Sequence, residues 1–404
     1  MSLTFYSGPN FSGRSAAMKD FAWSQGSKGQ YLHPALEVNL SGFAATAGGE
    51  VRLHPPSDAL PETLQAQLNA VVRNLPETQK LRTLSGGETV RVLTVCALQT
   101  GSPSIAFDCV LEQLDPVARK HFLEEIIKPL SAGTDVAVAD NASADSLQIF
   151  DTVRKFEHST LDLNANIGGF VRTLASVPVS APTIELKQLS FQYPGTKRWV
   201  LDRADFKFEP GRPYLIKAPN GAGKSTLARI LVGVLNPTRG SIVVNGASVQ
   251  PSKSARRLFF YAFQNPASQL MGTSCKGYLE LVSRTAARSE TWLEGSWPYR
   301  PDDVLNALGL STFAQTEPFD LPFVALKRLT VAAALLGRAP WLYFDEPALT
   351  ADQGSRHALC ELFNGLCRSG FGIILVSHGT EFDGLTGVVP LTMADGKIWE
   401  RDHG

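Results

Sequence analysis

The chain has 404 residues, with 38 Lys+Arg balanced by 38 Asp+Glu, so its formal net charge is zero. That length suits two domains, each large enough to bury a core, and the charge balance argues against a global field for nucleic acid or anionic lipid. Five cysteines (Cys96, Cys109, Cys275, Cys360, Cys367) form an odd set without CxxC spacing, so they read as reduced thiols, not as a disulfide frame or zinc site. No stretch approaches the roughly 20 apolar residues of a membrane helix. The start, Met1-Ser2-Leu3-Thr4, lacks a basic and then apolar signal region. The expectation is a soluble protein that would need a partner for any membrane role.

In the first half, Leu3-Thr4-Phe5-Tyr6 reads as a strand running into the loop Gly8-Pro9-Asn10-Phe11-Ser12-Gly13-Arg14-Ser15. Further on, Leu84-Ser85-Gly86-Gly87-Glu88 precedes a helical pattern from Val90 through Leu98. Ser85 and Glu88 have capping-box spacing. The same segment, at a helix N-terminus, would also offer free N–H groups and a positive dipole end to an anion. Asp108 follows an apolar run and is itself followed by Cys109. No His lies close enough in sequence to make that Cys a convincing nucleophile. Residues 164–182 are rich in small residues and Pro and read as a linker between 1–163 and 183–404.

The second half opens with the strand-like Ile184-Glu185-Leu186 and continues to Phe191-Gln192-Tyr193-Pro194-Gly195. A second strand covers Phe206 to Phe208. Tyr214-Leu215-Ile216 then leads into Ala218-Pro219-Asn220-Gly221-Ala222-Gly223-Lys224-Ser225-Thr226, with helix expected from Ser225 to Val234. A turn at Pro237 to Gly240 precedes the alternating run from Ser241 to Gly246. Helical regions near Pro301 to Leu310 and Lys327 to Leu336 are followed by apolar strands at Trp341 to Phe344 and Gly372 to Val376. Apolar strands alternating with helices imply an α/β fold with a largely parallel, covered sheet.

The loop at 218–226 has the makings of a phosphate cradle. Gly221 and Gly223 let backbone N–H groups approach an anion, Lys224 supplies a point charge for β/γ oxygens, and Ser225 a hydroxyl for Mg²⁺. Ala218 replaces the first glycine of that pattern, which a negative φ would allow. The bland alternative is a Gly/Ala turn before an amphipathic helix. Asp345 ends an apolar strand, where it could hold Mg²⁺, and Glu346 beside it could serve as general base for a water. A solvated acidic pair is the plainer reading of those two residues.

Together these residues resemble the nucleotide-binding domains of ABC-type ATPases over nearly the whole chain. The resemblance implies an α/β P-loop NTPase fold of ABC type, with two pseudo-repeated domains packed head to tail. The first, 1–163, would be truncated, lacking initial strands and with a reduced β subdomain; the second is 183–404. ATP and Mg²⁺ are the implied cofactors. In this family's pattern Tyr193 would stack on adenine, and Asn220, Gly221, Ala222, Gly223, Lys224, Ser225 and Thr226 would hold the phosphates. Ser225, Gln264 and Asp345 would face the metal, Glu346 would be the base, and His378 would contact the γ-phosphate. The signature expected at Leu321-Pro322-Phe323-Val324-Ala325 keeps only its Leu, and Pro322 also removes an N–H donor.

The first half is complementary. It keeps a signature in Ser85, Gly86, Gly87 and Glu88, but has Arg14 for the Lys, Phe11 for a glycine and Cys109 for the base. Leu32 falls about where the Gln is expected and Asp140 where the His is expected. Asp115 and Asp352 match the family's inter-site aspartates. The implied result is one consensus site made across the two halves, plus a degenerate one from Arg14, Cys109 and Asp140 with Leu321 to Ala325. The halves would then pair within one chain in place of a homodimer.

Residues Gln264 to Thr273 also resemble the Q-loop of ATPases from energy-coupling-factor importers of vitamins or metals. This implies transmembrane transporter subunits as partners, with a substrate-binding component, and a place at the cytoplasmic face of the cell membrane. No nucleic acid is expected. The rival class is a soluble ABC-type mechanoenzyme of translation or DNA repair. Such proteins usually keep two active sites, and the repair type has long coiled coils; neither is seen here.

Overall fold

The computed structural model describes residues 2–7, 14–24, 26, 28–34, 36–54, 77–81, 84, 86–114, 116–128, 131, 134–140, 149–156, 163–174, 179–219, 221–249, 258–287 and 297–401. These fall into two compact units, 1–160 with 349–352 and 161–348 with 353–404.

The first unit is built from β1 (Leu3–Ser7), α1 (Arg14–Trp23), β2 (Gln30–Leu32), α2 (Ala47–Leu53), α3 (Gly86–Gln99), β3 (Ser104–Asp108), α4 (Pro116–Phe122), β4 (Asp135–Ala139) and β5 (Thr152–Lys155). Its strands form one sheet in the order β2-β3-β4-β1-β5, and every pairing is parallel. Parallel strands need covered faces. Accordingly β3 is buried throughout, and Phe5, Phe107, Val136 and Val138 pack with Val90, Leu93 and Ala97 of α3 in one core.

The second unit contains α5 (Leu163–Leu174), β6 (Ile184–Gln192), β7 (Trp199–Phe208), β8 (Pro213–Ile216), α6 (Lys224–Leu231), β9 (Arg239–Val244), β10 (Ala247–Val249) and β11 (Phe259–Ala262). It continues with α7 (Cys275–Ala287), α8 (Pro301–Ala307), α9 (Phe323–Leu336), β12 (Trp341–Asp345), α10 (Gln353–Arg368), β13 (Gly372–Val376), β14 (Val389–Ala394) and β15 (Lys397–Glu400). A four-stranded antiparallel sheet has the order β10-β9-β6-β7, and a six-stranded sheet the order β11-β12-β13-β8-β14-β15. In the larger sheet only the β14–β15 pairing is antiparallel. Its first five strands repeat the order and direction of the five-stranded sheet of the first unit.

The 164–182 stretch, whose composition reads as a linker, instead carries most of α5. Ile167, Phe170, Val171 and Leu174 recur at helical spacing and are all buried. The helix packs so closely on α10 that a Cβ on Gly365 would lie 2.6 Å from Val171 Cγ1. Composition alone hides this because the apolar face is diluted by Gly, Asn and Ala. Among the described residues, no helix is long and apolar enough to cross a membrane.

Candidate active site

The site lies at the C-terminal ends of β8, β12 and β13, where an open parallel sheet presents its loops. β8 is fully buried, so the chain leaves it on a fixed path into 217–223 and turns into α6 at Lys224. Gly223 has φ +100, and a Cβ there would meet Val200 Cγ1 and the Val200 carbonyl oxygen at 3.1 Å, so both conformation and space call for glycine. Ala218 is buried and absent from the positive-φ residues, which is how an alanine fits the loop's first position. Asn220 lies outside the described residues.

An open cleft of about 270 Å³ is lined by Tyr193, Val200, Gly221, Gly223, Lys224, Ser225, Thr226, Gln264, Asp345, Glu346 and His378. Ten of these were named from sequence; only Val200 was not. Lys224 Nζ donates to the carbonyls of Ala218 at 2.7 Å and Pro219 at 3.1 Å, and desolvation lowers its pKa. Ser225 Oγ donates to Asp345 Oδ2 at 3.3 Å. Thr226 Oγ1 shares a hydrogen bond with the Tyr193 hydroxyl at 3.2 Å. Hydroxyl, carboxylate and amide oxygens from Ser225, Asp345 and Gln264 are the hard donor set that suits Mg²⁺.

Glu346 is buried with its backbone at φ +51, and its N–H donates to the Val376 carbonyl at 3.0 Å. Its Oε1 has no hydrogen-bond partner among the described residues, and His378 Nε2 stands 3.7 Å from it. Burial, then the charges of Asp345 and Glu381, push the Glu346 carboxyl up to about 8. A carboxyl held near neutrality with a free oxygen facing a cleft is suited to accept a proton from water. The plainer reading of a solvated acidic pair fails, because Asp345 is 4% and Glu346 7% exposed.

The structure adds two residues that sequence reading missed. Tyr261 in β11 donates its hydroxyl to Asp345 Oδ2 at 2.9 Å. The first unit repeats this contact, with Tyr31 in β2 donating to Asp108 Oδ2 at 2.6 Å. Register makes the two equivalent, since Tyr261 pairs with Tyr343 and Tyr31 with Ala106, each two residues before the aspartate. Only strand pairing reveals this. The second is Lys327, a buried cation next to buried Arg328 in the mainly apolar α9. A charged pair inside a mainly apolar helix was the signal available.

The same register corrects two assignments. Leu32 pairs with Phe107 just before Asp108, as Ala262 pairs with Phe344 just before Asp345. The counterpart of Gln264 is therefore Pro34, two residues past Leu32. Asp108 pairs with Ala139 and Asp345 with Val376. Asp140 therefore matches Ser377, and the counterpart of His378 is Asn141, outside the described residues. Counting along sequence misplaced both because the loops differ in length.

In the first unit Arg14 begins α1 as Lys224 begins α6, but it is buried and its Nη2 donates to Cys109 Sγ at 3.0 Å. Cys109 repeats the left-handed backbone of Glu346 at φ +54. Desolvation opposes the charge of Arg14, but Cys109, Asp108, Glu112 and Asp140 together raise its pKa. Asp140 is buried and ion-paired with Arg119, and burial raises its pKa. Loop residues 8–13 and Asp115 lie outside the described residues, as does Ser85. Gly86, Gly87 and Glu88 form the first turn of α3. By contrast α9 has Pro322 at its N-cap with no side-chain cap, and Leu321, Phe323 and Ala325 are buried.

A family model described as ABC transporter matches residues 201–349. The energy-coupling factor transporter ATP-binding protein of Thermotoga maritima is 32% identical over 199 residues, which cover 49% of this chain and 74% of that protein. The chain belongs to the ABC transporter family of ATP-binding proteins. A second ABC relative, the energy-coupling factor transporter ATP-binding protein of Methanosphaera stadtmanae, is 30% identical over 220 residues, 53% of this chain and 77% of that protein. The chain is therefore an ABC-type ATPase, and its substrate is ATP.

Proposed function

We propose that this ATPase energises a membrane transporter of the energy-coupling-factor type, using one consensus ATP site completed across its two halves and one degenerate site. The observation that carries the reading is complementary loss. The second unit has a cleft lined by Lys224, Ser225, Gln264, Asp345 and Glu346, but a buried, proline-capped α9 where a signature is needed. The first has a glycine-started α3 but Arg14, Pro34 and Cys109 where the cleft residues are needed. The names of the relatives support the transport role.

In this mechanism Tyr193 stacks against adenine, and the N–H groups of 221–226 with Lys224 hold the phosphates. Ser225 and Asp345, with Gln264 at their side, would hold Mg²⁺, which neutralises charge on the β and γ oxygens when bound. Glu346 accepts the proton of the attacking water through its free Oε1. His378, 3.7 Å from Glu346, meets the γ-phosphate. Ser85, Gly86 and Gly87 close the site with helix N-terminal N–H groups, and Glu88 caps that turn. The degenerate site, which sets Arg14 and Cys109 against Leu321 to Ala325, does not turn over.

The membrane partner docks against Gln264 to Thr273. There Asn265 caps a short turn by accepting from the Ala267 N–H at 3.0 Å, and Gln269 accepts from the Phe263 N–H at 2.7 Å. Beyond that turn Met271 is exposed. The test is affinity purification of the tagged chain from native membranes in mild detergent. A stoichiometric multi-span protein is the expected companion, and its identity would point to the solute. Ribosomal proteins, nucleic acid or no companion at all would overturn the transport reading.

A further inference from the structure

Helix α9 is buried along its whole length except at Val324, and Lys327 within it is only 3% exposed. An ammonium taken out of water is costly unless fully partnered. Two of its partners are backbone carbonyls. Lys327 Nζ donates to the Gln264 carbonyl, and to the Asp345 carbonyl at 3.2 Å, with the Phe323 ring centre 5.8 Å away. Gln264 follows β11 and Asp345 ends β12, which are paired neighbours. One cation thus ties together the two segments that carry the side chain of Gln264 and those of Asp345 and Glu346 into the cleft.

The chain contains its own comparison. Helices α3 and α9 both span 14 residues, and both begin two residues after the aligned Leu84 and Leu321. That alignment sets Lys327 against Val90, which is fully buried. In that half Gln264 is replaced by Pro34 and Glu346 by Cys109. The tyrosine–aspartate contact persists in both halves, so it goes with the fold. The lysine persists only where the cleft residues persist, so it goes with the chemistry.

We infer that Lys327 is a positioning residue for ATP hydrolysis, clamping the Gln264 backbone to that of Asp345 so that the Gln264 amide and the Glu346 carboxylate keep a fixed separation. The inference rests on assigning turnover to the cleft of the second unit.

Three variants test it. Lys327→Met keeps the length and removes both donors and charge. Lys327→Gln restores N–H donors without charge. Lys224→Ala checks the assignment of the cleft. Displacing a catalytic group by an ångström can cost about 100-fold, so Lys327→Met should lower kcat on that order while the KM for ATP moves by no more than about threefold. Amide hydrogen exchange at 263–270 should accelerate, with β12 and β13 unchanged. Lys327→Gln should recover that protection and part of kcat; it also carries the test should Lys327→Met not fold. Turnover of Lys327→Met within about twofold of wild type, beside an inactive Lys224→Ala, would overturn the clamp. So would faster exchange spread evenly through β12 and β13, the mark of a merely structural lysine. Full turnover in Lys224→Ala would remove the site assignment, and the clamp with it.

Discussion

Glu346→Gln should change the pH dependence of stability even in the absence of nucleotide. Burial and neighbouring charge raise the Glu346 carboxyl from an ordinary 4.5 to about 8. Because the folded value is the raised one, the stabilisation is complete below about 4.5 and is lost as the pH climbs through about 8. Between those limits the folded chain holds a proton that the unfolded chain has released. Wild type then loses about 1.4 kcal/mol per pH unit, or about 3 kcal/mol from pH 5 to 7.5. The glutamine variant has no such proton. Its unpartnered buried amide adds a penalty of about 1–3 kcal/mol that is the same at every pH and cancels in the comparison. Urea unfolding followed through Trp341, fully buried in the second unit, is the assay. With a urea slope of about 2–3 kcal/mol/M, the gap between the two midpoints should shift by about 1 M in favour of the variant between pH 5 and 7.5. An equal gap at both pH values would refute the claim that burial holds this carboxyl protonated.

Ser85→Arg should reduce ATP turnover as severely as Lys224→Ala, by about 100-fold or more, although the two positions lie in different halves. Steady-state hydrolysis decides it, and wild-type-like turnover in Ser85→Arg would end the cross-half reading. Arg14→Ala leaves Asp108 and Glu112 without this buried cation, while Asp140 keeps Arg119, so thermal unfolding should register a loss of about 3 kcal/mol in the first unit. A loss below about 1 kcal/mol would mean those acids have other compensation. Gly372→Ala would bring a Cβ within 2.2 Å of the fully buried Trp341 ring. The ring has nowhere to move, so the melting temperature should fall by an amount equivalent to about 3 kcal/mol or more. An unchanged melting temperature would show that the strand pair can spread.

The lining of the cleft was legible in sequence where it depends on residue type in a short window. The loop from Ala218 to Thr226, the pair Asp345–Glu346 and the strand-end His378 could all be found that way, and they line one cleft. Positions that depend on register were not legible. Pro34 and Asn141 match Gln264 and His378 only through strand pairing, because the intervening loops of the two halves differ in length. Tyr31 and Tyr261 look like ordinary strand aromatics until their hydroxyls are seen on the aspartates. Helix α5 was hidden by averaging composition where periodicity should have been counted: Ile167, Phe170, Val171 and Leu174 mark its buried face.

Cys109 and Glu346 share an uncommon backbone state, φ +54 and φ +51, and each donates its N–H to the residue ending the neighbouring strand, Ala139 at 2.9 Å and Val376 at 3.0 Å. A left-handed conformation at a non-glycine residue costs on the order of 1 kcal/mol. In the first unit that cost is still borne although no base remains for it to aim. The bend is therefore a property of how the sheet ends, fixed by a hydrogen bond to the adjacent strand and indifferent to the side chain it carries. The scaffold alone is enough to point whatever follows the aspartate away from the strand, be it a thiol or a carboxyl.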